Sequence, residues 1–317
     1  MTPRSNKNRT RGLSWIVIAV ALVAILFGSQ WVGYFVNKTQ VEVAEAEGPK
    51  LPNYVNYYAS GSYITAESNA AIADYIAAFP EPQNVQILTD MNTSAIWGFM
   101  TAYMAGGLKV DCTYCHNIEN FGADTAEAGA DDAWVERKAT AREHLLMTAD
   151  LNQNWIATLA GLGVDKQPSG AQIICATCHY GEALPVAWSD DQYGVPDDYR
   201  LPLDDLNVLL ITGQGETMSL DAVQYNQYTM YHISESLGVG CTHCHNSRYF
   251  PLYEQPAKDY ALHMLTMAQY IRSEYQDTMN GQEPSCYLCH RNQVRPPGAV
   301  AAADSLPIYL STEFSGE

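Results

Sequence analysis

Cysteine is absent from the first 111 residues of this 317-residue chain, and afterwards it occurs only within four short motifs. The absence of an early cysteine predicts that no lipid anchor is attached to such a residue. All eight cysteines belong to Cys-x-x-Cys-His motifs, so no thiol remains for a disulfide, a redox-active pair or a catalytic nucleophile.

Each of these motifs has the form to which a c-type haem is attached: two thiols form thioethers with the vinyl groups, and the following histidine ligates the iron. A structural zinc site instead groups four ligands around one ion. Four identical motifs that use every cysteine do not match that pattern. The sequence therefore predicts four c-type haems with iron. The motifs are Cys112-Thr-Tyr-Cys115-His116, Cys175-Ala-Thr-Cys178-His179, Cys241-Thr-His-Cys244-His245 and Cys286-Tyr-Leu-Cys289-His290.

Basic residues are also scarce, because 17 Lys and Arg stand against 35 Asp and Glu, and six of the 17 lie in the first 50 residues. The remaining chain is therefore strongly acidic. Such a surface repels nucleic acid and anionic lipid, which predicts no nucleic-acid partner, and it steers a basic partner towards the protein. An acidic surface that serves only solubility is the alternative.

The N-terminal region contains a long apolar run without charge at residues 13–36, after a basic segment at residues 1–12. Such a run is long enough to cross a hydrocarbon core of about 30 Å as a helix. We expect a transmembrane signal anchor with a cytoplasmic N-terminus and a periplasmic remainder, by the positive-inside rule. A cleaved signal ending near residues 44–46 is the alternative, although signal cores are usually shorter. Residues 37–60 are predicted to form a periplasmic tether.

Residues 61–317 are predicted to form one tetrahaem domain, mainly α with long irregular loops. The motif histidines are 63, 66 and 45 residues apart, which suggests two pairs rather than four equal units. We therefore expect two pseudo-symmetric helix–haem–helix–haem halves at about 85–180 and 221–295. Helices are predicted at 93–105, 133–160, 222–237 and 257–278. Gly106-Gly107 and Gly238-Val239-Gly240 are expected to break the first helix of each half, and residues 180–220 to link the halves with irregular or strand structure.

His116, His179, His245 and His290 are the predicted proximal iron ligands by motif position. Met100 and Met230 lie at matching places, 16 and 15 residues before the first and third of these histidines, which makes them candidate sixth ligands. Met104, one turn from Met100, is its rival. On the second helix of each half, the pairs His144 and Met147, and Met264 and Met267, each share one face and offer ligands to the other two irons. His263 is expected on the flank.

Four stretches of the chain resemble the tetrahaem cytochrome c subunit of photosynthetic reaction centres in purple and filamentous anoxygenic bacteria. They are residues 85–90, Met100-Thr-Ala-Tyr-Met104, residues 147–155 and residues 230–248, which include the third motif. The resemblance extends over residues 51–290, with divergence in the loop at 180–220.

The resemblance implies an electron-transfer subunit rather than an enzyme. Such a subunit accepts electrons from a soluble carrier, a small cytochrome c or a blue-copper protein, on the periplasmic side. It re-reduces the photo-oxidised bacteriochlorophyll pair of the reaction centre. The implied partners are the membrane subunits of the reaction centre and the antenna complex, and the implied location is the cytoplasmic membrane.

Carried over position by position, the resemblance implies Met100 for haem 1 and Met230 for haem 3. Two positions depart from it. His144 stands where the family has the methionine of haem 2, and Thr158 stands where it has the distal histidine of haem 4. Haem 2 is then expected to take His144 or Met147, and haem 4 to take Met264, whose place in the repeat nominates it.

Two other functions fit a bare count of four motifs. A membrane-anchored quinol dehydrogenase, or another respiratory cytochrome, also combines one N-terminal helix with four haems, but that class generally uses histidine-rich ligation and closely spaced motifs. A multihaem enzyme with one open iron is the third possibility, because haem 4 lacks the family's histidine. The methionines at ligand places and the long helical spacers favour the electron relay.

Overall fold

The computed structural model describes residues 54–58, 62–125, 128–162, 169–189, 195–209, 219–252 and 254–314. They all belong to the second of two units into which the chain divides, Lys50–Glu317. The first unit, Met1–Pro49, contains the predicted membrane-spanning segment at residues 13–36, which thus lies outside the described residues. Within the described ranges, no helix combines the length and apolar character needed to cross a bilayer.

The described residues are mainly helical and contain no β-strand, only isolated bridges, which confirms the predicted α class. The α-helices of more than three residues are α1 (Ala66–Ala78), α2 (Thr93–Phe99), α3 (Asp132–Asp150), α4 (Cys175–His179), α5 (Leu220–Leu237), α6 (Pro256–Tyr275) and α7 (Cys286–His290). Two π-helices continue α2 and α3 directly, at Met100–Ala105 and Leu151–Ile156. Short 3-10 helices lie at Cys112–Tyr114, Ala157–Leu162, Leu206–Leu209, Cys241–His243, Ala303–Ser305 and Ile308–Leu310.

Side-chain caps fix where the long helices begin. Asn92, Asp131 and Ser219 each accept a hydrogen bond from the backbone N–H three residues later, at the starts of α2, α3 and α5. Such caps satisfy amides that have no partner inside the helix and contribute about 1 kcal/mol each. Helix α6 instead begins with Pro256, whose missing N–H costs nothing at a first helical position.

The predicted break at Gly106-Gly107 is wrong, because the helix continues through Gly106–Leu108 and ends at Lys109, which has a left-handed φ of 53°. The glycine at 107 serves close packing instead. A Cβ placed on Gly107 would lie 2.9 Å from the backbone nitrogen of Ala176, and the Gly181 N–H donates to the Gly107 carbonyl over 2.7 Å. The second break is confirmed, since Gly238 ends α5 with φ 64°.

A fully buried asparagine ties the middle of the fold to its C-terminal segment. The Asn152 side chain donates to the carbonyls of Ile173 and Leu310, at 2.9 and 2.7 Å, and accepts from the Ile173 N–H at 2.8 Å. Asn152 lies in the π-helix after α3, and Ile173 leads into the second motif. The strand alternative for the linker fails within residues 180–189 and 195–209, where the structure shows one 3-10 helix and irregular chain.

Candidate haem-binding site

The four Cys-x-x-Cys-His motifs adopt two conformations. The first and third form 3-10 turns, at Cys112–Tyr114 and Cys241–His243, whereas the second and fourth form short α-helices, α4 and α7. Both short helices end at a residue with left-handed φ, Tyr180 at 47° and Arg291 at 44°. All eight cysteines are free of disulfide bonds.

Each motif histidine is held through its Nδ1 atom by a backbone carbonyl. The pairs are His116 with Phe121 at 3.1 Å, His179 with Glu182 at 2.9 Å, His245 with Phe250 at 2.9 Å, and His290 with Gln293 at 3.0 Å. A carbonyl oxygen can only accept, so Nδ1 must carry the hydrogen and Nε2 keeps its lone pair. This is the arrangement in which histidines bind metal ions, with the second nitrogen fixing the tautomer and the ring orientation.

Burial also favours the neutral form of three of these histidines, His116, His179 and His290. Desolvation lowers the pKa of His116 to about 4, with a further contribution from the nearby Lys138 ammonium. It likewise lowers the pKa of His179 to about 4 and lowers that of His290. A neutral imidazole is the form that ligates iron, so these side chains are competent ligands near neutral pH.

A cavity of about 1320 Å³ joins the first, second and fourth motifs. Seven of the eight motif cysteines line it, as do the histidines of these three motifs. Burial raises the pKa of both Cys175 and Cys286 to about 12, so these thiols are protonated. The candidate iron ligands on its wall are Met100, His116, His144, His179, Met264 and His290. An apolar enclosure with thiols and free imidazole nitrogens on its wall suits haem groups.

The third motif is more open. Cys241 is exposed, and neither it nor His245 nor Met230 lies on the wall of this cavity. Met230 packs instead beside a small core cluster that contains Ile233 and Leu265. The structure therefore brings three predicted sites together around the cavity, whereas the third motif reaches its wall only through His243 and Cys244.

The second and fourth motifs are in direct contact. The Sγ atoms of Cys178 and Cys289 are 3.6 Å apart, well beyond the length of a disulfide bond. The Arg291 guanidinium donates to the Cys178 carbonyl over 3.1 Å and so links the two motifs a second time. Groups attached to these two motifs are consequently neighbours.

The predicted sixth ligands are placed as follows. Met100 lies in the π-helix after α2 and lines the cavity together with Met104, so both candidates reach the same space. The His144 ring centroid is 5.6 Å from that of His179, and its Nε2 lies 2.9 Å from the Thr278 carbonyl. Met147 lines the same cavity.

Helix α6 contributes two methionines to the wall of the cavity. Met264 and Met267 both line the cavity. His263, next to Met264, instead directs its Nε2 towards the Trp155 carbonyl at 3.0 Å, with the Thr158 hydroxyl at 3.4 Å. The position that holds a distal histidine in the resembling family is thus occupied by Thr158, which contacts His263 of another helix.

Sequence reasoning missed two lysines beside the motifs and the contact that the buried His232 makes with the fourth motif. Lys138 and Lys258 donate to the carbonyls of Phe121 and Phe250, which also hold His116 and His245. His232 accepts from the Cys286 N–H over 3.2 Å, and desolvation lowers its pKa to about 4. Lys138 and Lys258 lie 120 residues apart in the sequence, as do His144 and Met264. An alignment of the two halves at this offset would therefore have paired the two lysines.

Comparison with known proteins places these features in a family. A family model described as photosynthetic reaction centre cytochrome C subunit matches residues 52–190 and 210–263. Cytochrome c-554 of Chloroflexus aurantiacus is 27% identical over 83% of this chain and 81% of that protein. The photosynthetic reaction center cytochrome c subunits of Thermochromatium tepidum and Roseobacter denitrificans are 28% and 24% identical. These matches cover 74% and 83% of this chain, and 65% and 80% of the respective relatives. With the family model covering more than half of a chain whose four motif histidines are held for metal binding, this protein belongs to the photosynthetic reaction centre cytochrome c subunit family.

Proposed function

We propose that this chain holds four c-type haems and relays electrons from a soluble periplasmic carrier to the photo-oxidised bacteriochlorophyll pair of a reaction centre. The observation that carries the proposal is the common state of the four motif histidines, each held at Nδ1 by a carbonyl with Nε2 left to bind iron. Family membership implies c-type haem iron, and the number four comes from the motifs.

The covalent attachment follows from the motif chemistry. The eight cysteines, in the pairs Cys112 and Cys115, Cys175 and Cys178, Cys241 and Cys244, and Cys286 and Cys289, form the thioethers. His116, His179, His245 and His290 are the proximal ligands. Bound haem iron supplies one-electron transfer, and the protein sets its potential through axial ligands, burial and hydrogen bonds.

Two pseudo-symmetric halves are supported by the two conformations of the motifs. His116 and His245 are each held by the carbonyl five residues later, a phenylalanine in both cases. His179 and His290 are each held by the carbonyl three residues later. The first motif therefore corresponds to the third and the second to the fourth, as expected for halves at about 85–180 and 221–295.

The sixth ligands follow the same correspondence. Met100 on the cavity wall is proposed for haem 1, and Met230 at the matching place on α5 is proposed for haem 3. For haem 2, the nearness of the His144 and His179 rings favours His144 over Met147, with Nδ1 as the ligating atom because Nε2 lies against the Thr278 carbonyl. Met264 is proposed for haem 4, because it lines the cavity and corresponds to His144 in the repeat.

With these ligands, one haem is expected to differ from the other three in its reduction potential. Histidine on both sides of an iron lowers its potential relative to one histidine and one methionine. With His144 as its sixth ligand, haem 2 is expected at the lowest potential. The contact between Cys178 and Cys289 keeps the second and fourth sites within short electron-transfer range.

The partners and location are proposed on charge and family grounds. The acidic part of the chain after residue 50 suits a basic region on a soluble donor, a small cytochrome c or a blue-copper protein. The N-terminal apolar run at residues 13–36 would hold the haem domain on the periplasmic face of the cytoplasmic membrane, beside the reaction-centre subunits and the antenna complex. The role is electron transfer without catalysis of a chemical reaction.

Mass spectrometry and an optical redox titration of the purified full-length protein test the proposal. We expect four covalent haems, three of which show the ferric absorption band that methionine ligation produces and titrate above the fourth. Four low-potential haems without that band would refute the relay.

The assignment of Met264 is tested by a matched pair of substitutions, Met264→Leu and Met267→Leu. Both methionines line the cavity from the same face of α6, and leucine conserves most of their volume. We expect Met264→Leu to remove methionine ligation at haem 4 alone and Met267→Leu to leave all four spectra as they were. If the two variants exchanged these results, the fourth ligand would be Met267.

A further inference from the structure

Two lysines reach backbone carbonyls beside the first and third motifs in the same way. Lys138, only 7% exposed, donates to the Phe121 carbonyl at 3.2 Å and to the Asp124 carboxylate at 3.1 Å, and it also contacts the Ala123 carbonyl. Lys258 donates to the carbonyls of Phe250 at 3.0 Å, Pro251 at 2.9 Å and Leu252 at 3.4 Å. One lysine lies on α3 and the other on α6.

The carbonyls of Phe121 and Phe250 are shared acceptors. Each carbonyl oxygen has two lone pairs, so it can take the imidazole Nδ1–H and an ammonium hydrogen at once. At the first motif the two contacts measure 3.1 Å and 3.2 Å, and at the third 2.9 Å and 3.0 Å. In both places a cation is joined to a proximal histidine through a single oxygen atom.

We propose that Lys138 and Lys258 are positioning residues that raise the potentials of the first and third haems through the carbonyl oxygens of Phe121 and Phe250. An unshared carbonyl accepts strongly from Nδ1–H, which increases the electron donation of imidazole to iron and stabilises the ferric state. An ammonium on the same oxygen weakens that acceptance. The nearby positive charge also opposes the extra charge of ferric iron.

In the part of the chain that the structure describes, no lysine donates to the carbonyls that hold the histidines of the second and fourth motifs. There the carbonyls of Glu182 and Gln293 hold the histidines, three residues along the chain, in tight turns after α4 and α7. The shared lysine contact therefore distinguishes the first and third sites from the second and fourth, which are joined by Cys178 and Cys289. It provides a second means of separating potentials, in addition to the choice of the sixth ligand.

The substitutions Lys138→Met and Lys258→Met test the proposal, which rests on the haem attachment proposed above. Methionine keeps the apolar stem and removes the charge and its hydrogen bonds. Arg137→Met is the matched control at the first motif, because Arg137 donates to the Tyr114 carbonyl inside that motif and not to the Phe121 carbonyl. Arg248→Met serves the third motif, since Arg248 is exposed in its loop.

We expect Lys138→Met to raise the ferric-to-ferrous ratio of haem 1 about tenfold at a fixed ambient potential. For a one-electron couple, this corresponds to a fall of about 59 mV in the reduction potential of haem 1. The shift for haem 3 in Lys258→Met should have the same sign and be smaller, because water screens that more open site. The EPR g-anisotropy of the affected ferric haem should change, reporting a stronger imidazole donor. Lys138→Arg should restore most of the potential.

Equal shifts in Lys138→Met and Arg137→Met, or unchanged EPR signals in both methionine variants, would overturn the carbonyl route. If Lys138→Met fails to accumulate, Lys258→Met against Arg248→Met decides the matter. Haem content by mass spectrometry separates this inference from the proposed function. Wild-type protein without haem on the first and third motifs defeats the function itself, whereas loaded motifs with unshifted potentials defeat only the role of the lysines.

Discussion

Gly238 offers the sharpest test of how the two ends of the second half are joined. It ends α5 with φ 64°, and a Cβ there would lie 2.2 Å from the Asn292 carbonyl oxygen. The Asn292 N–H in turn donates to the Ser236 carbonyl over 2.8 Å. The end of α5, just before the third motif, therefore packs backbone to backbone against the turn that follows the fourth motif.

The substitution Gly238→Ala should destabilise the domain for two reasons. An L-residue in the left-handed region costs roughly 1–2 kcal/mol. Forcing a methyl group into occupied space adds about 1–3 kcal/mol, here by pushing α5 away from the segment at Asn292. Together we expect the free energy of unfolding to fall by about 2–5 kcal/mol.

Gly240→Ala is the matched control two residues away. Gly240 has an ordinary φ of −86°, and nothing lies within 4 Å of a Cβ built there. Its substitution should change stability by no more than about 0.5 kcal/mol, or stabilise slightly by restricting the unfolded chain. Guanidinium unfolding followed by far-ultraviolet circular dichroism measures both. Equal stability of the two variants would refute the proposed backbone contact.

Two further predictions concern the buried Asn152 and the partly buried Asp124. Asn152→Ala should lower the free energy of unfolding by about 2–4 kcal/mol, because it leaves the Ile173 N–H and two carbonyls without their partner, and calorimetry against Asn154→Ala on the exposed face checks this. Burial raises the pKa of Asp124, but hydrogen bonds from Arg142, Lys138 and Asn84 outweigh it and hold that pKa below 3.8. The carboxylate therefore contributes stability above pH 3.8 that is lost as acid protonates it, so Asp124→Asn should be less stable at neutral pH and less acid-sensitive below it. The urea unfolding midpoints of the wild type and of Asp124→Asn, measured across a range of pH, test this prediction. The same dependence of the midpoint on pH in both proteins would contradict it.

The helical class and four of the helices could be predicted, and polar caps and Pro256 mark their starts locally, whereas helix α1 (Ala66–Ala78) was not predicted. Their ends could not be placed to the residue. Gly106 and Gly107 were expected to stop a helix, yet tertiary packing against Ala176 uses the missing Cβ instead. The π-helices at Met100–Ala105 and Leu151–Ile156 likewise depend on packing that no local pattern records.

The candidate site divides in the same way. The motifs carry the attachment chemistry within five residues, so their cysteines and histidines could be named from the sequence alone. The carbonyls of Phe121 and Phe250, and the lysines that share them, come from loops and helices brought together only by folding. The direct contact between Cys178 and Cys289 spans 111 residues and could not be read from spacing.

Flash absorption spectroscopy of membranes that contain this protein and its reaction centre tests the central claim most directly. After a single flash photo-oxidises the bacteriochlorophyll pair, we expect the pair to be re-reduced as the haem absorption of this cytochrome bleaches. The bleach should then recover as the soluble donor supplies an electron. A pair that is photo-oxidised and recovers with no haem oxidation in this protein would contradict the account.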